Sequence, residues 1–383
     1  MIYLFLVITL VILFGSHWIA YRFFVSVFAV KKRKTKIWLR IILTLMPFAF
    51  VGNMILLRLW ENGLSRALYF IVGIWLGFLI NLLIFCFVCS LIYFVTKLLK
   101  KPYHGRGLNR VGFSFVVLMT LLGIVNVFLV GVKPVDIQIQ DLPENWQNKK
   151  IVQISDLHLG AVLGDSFLAG VVKKVNALDP DLIVITGDLF DGNNGLEGDV
   201  IPLLNSFKSK QGIYYVTGNH EVYLDLERVL ETLRKTDINI LNDELVNLDG
   251  LQIIGISHPV LNEKKVFPEA VNLSYNKDDP SIMLYHLPNN IESSDVSMNE
   301  IYFSPDVNFS TAKDLGIDLQ LSGHTHNGQI FPFNFLTALI YDNFDNGLRS
   351  DGDFQIYTNT GTGVWGPTMR TSSRPEITLI TLK

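Results

Sequence analysis

The sequence predicts a two-part chain: four apolar transmembrane helices, then an α/β domain in which helices flank two packed β-sheets. Three observations predict it. The chain has 383 residues, 49% of them hydrophobic, and a mean hydropathy of +0.34; that is too apolar for an ordinary soluble protein and too long for one domain. The net charge of −3 hides an asymmetry, because residues 1–133 carry 15 Lys+Arg against one acid, Glu61, and the remainder carries 17 against 34. Beyond residue 150, strand-length apolar runs alternate with helical patterns, the order of a largely parallel sheet covered by helices.

In the first third, four runs reach the roughly 20 residues that span a bilayer: Ile2–Tyr21, Ile37–Leu57, Ala67–Val95 and Val111–Val132. No basic residue precedes the first run and three more follow it, which is not the pattern of a cleaved signal peptide. Loop charge sets the expected orientation. The first loop carries Lys31, Lys32, Arg33, Lys34 and Lys36, and the third Lys97, Lys100, Lys101, Arg106 and Arg110. The second carries only Arg58 and Arg66, balanced by Glu61. Positive-inside then places loops one and three in the cytoplasm and the acidic remainder of the chain outside it. Polar groups within the runs are few: Ser16, His17, Asn53, Asn81 and Asn126. His17 alone is ionisable away from a span's end and reads as a satisfied or interfacial side chain, so the spans (residues 1–133) read as an anchor rather than a transport pathway.

The acidic remainder argues against nucleic acid as a partner, since that binding needs Lys and Arg to displace counterions. Cys86 and Cys89 are the only cysteines. Both lie inside an apolar run at helical spacing, so the second domain has no disulfide and no thiolate ligand.

That domain, residues 134–383, begins with alternation: Val135, Ile137 and Ile139 against Asp136, Gln138 and Gln140. The pattern then predicts strand 151–155, helix 166–178, strand 182–186, helix 199–209, strand 213–217 and helix 224–235. Short strands follow at 251–256, 282–285, 319–321, 354–358 and 376–382, enough for a second sheet. Residues 288–308 read as a surface loop.

The centre of the pattern is Asp181-Leu-Ile-Val-Ile-Thr-Gly-Asp188. Leu182–Thr186 is a buried strand between Pro180 and Gly187, and it delivers Asp188 to its C-terminal tip, where open α/β sheets bind ligands. Other runs end the same way. Asp156 and His158 follow Ile151–Ser155; Asn219, His220 and Glu221 follow Ile213–Thr217; His286 follows Ile282–Tyr285; His324 and His326 follow Leu319–Ser322. D-x-H and H-x-H each put two side chains on one side of an extended segment. Any one of these pieces is weak. The order D-x-H, G-D, G-N-H-E, H, G-H-x-H is strong, and it absorbs five of the eight histidines. Of the leftovers, His258 reads as structural and Asp191 as a turn cap before Gly192.

From about Val135 onward the chain resembles the calcineurin-like metallophosphoesterases, and within them the membrane-anchored bacterial branch; the ending Gly361-Thr-Gly-Val-Trp365-Gly-Pro is similar too. The resemblance implies a two-sheet β-sandwich flanked by helices, and two divalent metal ions. One is expected on Asp156, His158, Asp188 and His326, the second on Asp188, Asn219, His286 and His324. Nitrogen and oxygen donors without sulfur suit Mn, Fe, Zn or Ni. His220 follows a ligand and is expected to be the catalytic acid or a donor to phosphoryl oxygen, with Glu221 orienting a neighbour of the metals. Two positions depart from the family pattern: Thr360 stands where a basic residue is expected, and Asn327 where glycine is commoner.

The function expected is a membrane-anchored phosphoesterase that hydrolyses phosphodiester or pyrophosphate bonds by in-line attack of metal-activated water. Its expected substrate is a phosphate ester, lipid-linked or of the cell envelope, with membrane lipids as further partners. Two other classes compete with it. A non-catalytic metal-binding receptor or scaffold predicts broken ligand motifs, and none is broken. A transporter predicts intramembrane charge, and there is little.

Overall fold

The computed structural model describes residues 2–103, 105–196, 198–260, 265–291 and 302–383. Residues 292–301, within the stretch expected as a surface loop, lie outside that description. The chain falls into two units: residues up to Val125 with Gly366–Thr371, and Asn126–Trp365 with Ser372–Lys383.

The first unit is built from helices α1 (Ile2–Val27), α2 (Arg33–Leu59), α3 (Gly63–Leu98) and α4 (Gly105–Val127). Among the described residues, four segments are long and apolar enough to cross a membrane: Thr9–Val27, Arg33–Leu57, Gly63–Leu98 and Gly107–Val127. Asn62 fixes the start of α3, its side chain accepting from the Leu64 and Ser65 N–H groups while Ser65 Oγ accepts from the Asn62 N–H. This reciprocal cap satisfies helix-end donors that have no partner within the helix. His17 is satisfied as a neutral ring: its Nδ1 donates to the Leu13 carbonyl at 2.7 Å and its Nε2 accepts from Trp75 at 3.0 Å. Cys86 and Cys89 are free thiols. A feature the sequence reading lacks is the return of Gly366–Thr371 into this unit. The Arg370 N–H bonds the Gly123 carbonyl at 2.9 Å and Asn81 Nδ2 donates to Met369 Sδ at 3.5 Å.

The second unit opens with β1 (Gly131–Ile137), which starts before the end expected for the fourth span and before the expected first strand. Pairing decides this. β1 lies parallel to β14 (Glu376–Leu382) along its whole length, Gly131 opposite Glu376 and Ile137 opposite Leu382. The chain continues through β2 (Lys150–Ile154), β3 (Leu159–Gly160), α5 (Asp165–Asn176), β4 (Leu182–Thr186), β5 (Phe190–Asp191), α6 (Val200–Leu204) and β6 (Ile213–Val216). Next come α7 (Asn219–Leu224), α8 (Leu226–Leu233), β7 (Ile238–Ile240), β8 (Glu244–Leu248), β9 (Leu251–Ile256), α9 (Glu269–Ser274) and β10 (Ser281–Tyr285). Beyond residue 301 follow α10 (Ser310–Leu315), β11 (Leu319–Ser322), α11 (Phe333–Ile340), β12 (Gly347–Asp351), β13 (Phe354–Thr358) and then β14.

Among the described residues two six-stranded sheets form, in the orders β1-β14-β2-β4-β6-β7 and β12-β13-β11-β10-β9-β8, beside the small pair β3-β5. Within them β2-β4-β6-β7 and β13-β11-β10-β9 run parallel. Side-chain alternation explains the layers. Ile151, Leu182, Val184 and Val216 meet Ile253, Ile282, Leu284 and Leu321 between the sheets. The opposite face of the first sheet, with Val152, Ile154, Ile183 and Ile185, packs on Leu168, Val171 and Val175 of α5 and on Val229 and Leu233 of α8. The outer face of the second sheet, with Ile254, Met283 and Ile356, packs on Phe309 and Ala312.

Two expected helices differ, each for a local reason, and strand β8 was not expected. The helix expected over 199–209 stops at Leu204, because the Asn176 side chain accepts from the Lys208 N–H and donates to the Ser206 carbonyl. The helix expected over 224–235 is two, broken at Asp225, whose extended backbone (φ 177°) lets its carboxylate cap Arg228. Strand β8 joins β9 through the two-residue turn Asp249-Gly250, with φ of 51° and 96°. Asp-Gly is a strong hairpin signal for such a turn.

Candidate metal centre

The loops leaving the C-terminal ends of β2, β4, β6, β10 and β11 meet, and they carry every residue singled out for chemistry. Asp156, His158 and His326 offer ligand atoms within 4.8 Å of one another, and Asp188, His286 and His324 form a second such group. In the first group, the Nε2 atoms of His158 and His326 face each other at 3.1 Å, and His326 Nε2 lies 3.3 Å from Asp156 Oδ1. In the second, Asn219 Oδ1 is approached by His286 Nε2 at 3.1 Å and by His324 Nδ1 at 2.9 Å. Asp188 links its own group to the first, its Oδ2 3.2 Å from His286 Nε2 and 3.9 Å from His158 Nε2.

The backbone is bent to aim these side chains. Asp156, His158, Asp188, His324 and His326 all have positive φ, between 50° and 74°. A non-glycine residue there costs on the order of 1–3 kcal/mol and persists only when its surroundings hold it. Here they do. The Asp156 N–H bonds the Gly187 carbonyl, the His158 N–H bonds the Asp188 carbonyl, and the His324 N–H reaches the Asp156 carboxylate, at 3.0–3.1 Å. Gly218 is required at the tip of β6, since a Cβ there would overlap Asp188 Oδ1.

Glu221 is the fully buried clamp beneath this arrangement. Its Oε1 accepts from the Leu189 and Phe190 N–H groups at 2.8 and 3.2 Å, and its Oε2 from those of Asp188 and Gly218 at 3.0 and 2.7 Å. Burial and the Asp188 carboxylate push its carboxyl up, to about 7. The four N–H donors pull the other way, so the backbone is arranged around the anion. Elsewhere burial lowers His158 and His324 to about 3, helped by His220 for the first and His286 for the second. Against the desolvation that burial imposes, Asp188 raises His286 to about 9. Against the same cost, Asp188 and then Asp191 raise His220 to about 10.

The donor set fits divalent cations. Two buried imidazole nitrogens facing each other at 3.1 Å beside a carboxylate oxygen share at most one proton, and such lone pairs converge most favourably on a cation. His220 stands beside this set: its ring lies 4.5 Å from that of His158, and its Nδ1 donates to Asp191 Oδ1 at 3.0 Å. The turn-cap expectation for Asp191 is thereby corrected. Its carboxylate orients His220, a role invisible in sequence because β3 and β5 must first pair. His258 is buried, with its ring 6.2 Å from that of His286.

Three aromatic residues escape the sequence reading. Tyr302 Oη accepts from Asn219 Nδ2 at 3.2 Å and bonds Tyr223 Oη at 2.6 Å. The Trp365 ring lies 5.9 Å from that of His220. Only Trp365 had a signal, its place in the Gly361–Pro367 ending.

Comparison with known proteins agrees with this construction. A family model for calcineurin-like phosphoesterases matches residues 149–328. The chain is 36% identical over 257 residues to an uncharacterized metallophosphoesterase of Campylobacter jejuni, covering 66% of this chain and 63% of that one. It is 34% identical over 236 residues to an uncharacterized metallophosphoesterase of Helicobacter pylori strain J99, covering 61% and 59%. These matches span somewhat under two thirds of both bacterial relatives. To a transmembrane protein with metallophosphoesterase domain of Danio rerio it is 30% identical over 333 residues, covering 80% of this chain and 72% of that one. Motif order, fold and relatives point the same way: this chain is a membrane protein that belongs to the calcineurin-like metallophosphoesterase family, whose members use divalent metals.

Proposed function

We propose that the chain is a membrane-anchored, dinuclear-metal phosphoesterase that hydrolyses phosphodiester or pyrophosphate bonds of a lipid-linked or cell-envelope substrate. The observation that carries this reading is the convergence of two largely buried His/Asp groups, with Asp188 of one reaching toward His158 of the other. Asp156, His158, Asp188 and His326 would hold one ion, and Asp188, Asn219, His286 and His324 the other. When bound, the ions supply Lewis-acid neutralisation of phosphoryl oxygens and acidify water. The chain's own residues do the rest. Buried Asn219 and His286 fix where the reacting group can sit, and the strained backbone holds the donors in place. His220, kept protonated by Asp188 and Asp191, has its Nδ1 proton committed to Asp191, so Nε2 is the nitrogen left to donate to a leaving alkoxide or a phosphoryl oxygen.

The test is metal content and bis-p-nitrophenyl phosphate hydrolysis by the full chain in detergent, with Mn added and with chelator. Near two ions per chain and chelator-sensitive turnover support the reading; no bound metal sinks it. His220→Ala should lower kcat by about 10²–10⁴ on esters with poor leaving groups and leave metal content unchanged. Full activity of that variant on such an ester would remove His220 from the mechanism. Loop charge supports an extracytoplasmic catalytic unit. A topology reporter fused after Lys383 reads this directly, and a cytoplasmic signal reverses the placement.

A further inference from the structure

Helix α11 has no counterpart in the chemistry above. From Gln329 to Tyr341 the sequence Gln-Ile-Phe-Pro-Phe-Asn-Phe-Leu-Thr-Ala-Leu-Ile-Tyr has no charged residue. Yet no residue of α11 is buried, and Phe335, Leu336 and Leu339 are 65%, 50% and 79% exposed. An eight-residue helix is marginal on its own in water, and one apolar all round is normally covered. An apolar patch of this kind marks an interaction surface.

Both ends of the helix are tied to the loop that carries His324 and His326. Ahead of it, a Cβ on Gly328 would overlap the Phe333–Asn334 backbone, and the Phe333 N–H bonds the Ile330 carbonyl at 2.8 Å. Behind it, the Tyr341 ring lies 6.4 Å from that of His324, and Thr337 and Thr325 both bond Asp345, at 2.7 and 2.6 Å. Gln329 also accepts from the Trp365 N–H and donates to the Trp365 carbonyl, and the Trp365 ring faces His220.

We infer that α11 is a membrane-inserting element that dips into the lipid surface and presents the site to phosphate esters at headgroup level. The occupant is lipid because the same chain carries four membrane-length helices and β1 begins four residues after the last of them. An uncharged apolar helix tethered to a bilayer partitions into its interface. The headgroup assignment rests on reading the site as a phosphoesterase; the insertion does not.

The test uses the full chain with Cys86→Ser and Cys89→Ser, in phosphatidylethanolamine–phosphatidylglycerol vesicles, with a nitroxide on Phe335→Cys, Leu339→Cys or Asp353→Cys. Collisions with oxygen should exceed those with a water-soluble nickel chelate at 335 and 339, and the order should reverse at 353, an exposed site in the β12–β13 turn. Nickel collisions dominating at 335 and 339 overturn the inference. So does spin–spin broadening between copies, which would make a second chain the occupant. A paired assay reads the substrate class. In Phe335→Asp/Leu339→Asp, turnover of a vesicle-borne phosphatidyl p-nitrophenol relative to bis-p-nitrophenyl phosphate should fall about tenfold. An unchanged ratio overturns the headgroup assignment. No turnover of either substrate by the parent chain would instead count against the catalytic reading, with the collision result still standing.

Discussion

Asp188→Asn is expected to remove bound metal and activity together, lowering kcat by at least about 10³-fold. The residue belongs to one His/Asp group and faces the other, with His286 Nε2 at 3.2 Å and His158 Nε2 at 3.9 Å from one carboxylate oxygen, and it is buried. In the proposed dinuclear site, two dications on either side would repel each other, and the shared anion would offset that repulsion. Asparagine keeps the shape but not the charge. Its Oδ1 can still accept the His220 N–H bond that Asp188 accepts at 2.8 Å, so the β4–α7 junction should survive. The distinguishing result is therefore a folded, metal-poor chain, read by elemental analysis beside far-UV circular dichroism. A variant that retained its ions and turned over bis-p-nitrophenyl phosphate at the parent rate would show that Asp188 is not shared between them.

How far these features were legible in the sequence depended on where their signals lie. Leu182–Thr186 is buried at all five positions, so its apolar run is unbroken and reads directly as a central strand. Leu251–Ile256 and Ser281–Tyr285 are likewise buried throughout, with only Gln252, Gly255 and Ser281 departing from an apolar run. Strands β8 and β12 hold no buried residue and sit at the edges of their sheet, so their runs are diluted by Glu244, Asn247, Arg349 and Ser350. Only the turn signals, Asp249-Gly250 and Gly352-Asp353, mark them. The donor residues were legible because each follows a strand in chain order. The partner of His220 was not, since Asp191 reaches it only after Leu159–Gly160 pairs with Phe190–Asp191. Tyr302 contributes through a single hydroxyl near Asn219, and no local pattern announces that. The return of Gly366–Thr371 to the helical unit is legible only in space: a Cβ on Gly73 or Gly77 would overlap Thr368 or Met369.

Glu221→Gln is expected to destabilise the protein by about 2–6 kcal/mol and to weaken metal binding by about 10–100-fold. The carboxylate accepts four backbone N–H groups, two per oxygen, from Asp188, Leu189, Phe190 and Gly218. A side-chain amide turns one of those acceptors into a donor, leaving two buried N–H groups unsatisfied and facing another N–H. Each such group costs about 1–3 kcal/mol, a large share of the roughly 5–15 kcal/mol that stabilises a typical domain. The damage reaches the site because the Asp188 N–H is one of the four. Losing that bond frees a residue whose positive φ of 51° its surroundings must enforce. Glu221→Asp should fall between parent and Glu221→Gln, since a carboxylate one methylene shorter keeps its charge but cannot span all four donors. Thermal unfolding of the full chain in detergent, with and without metal, separates this role from a catalytic one. If Glu221 acted on substrate as an acid or base, the glutamine variant would lose turnover with its melting temperature unchanged, and the clamp assignment would fail.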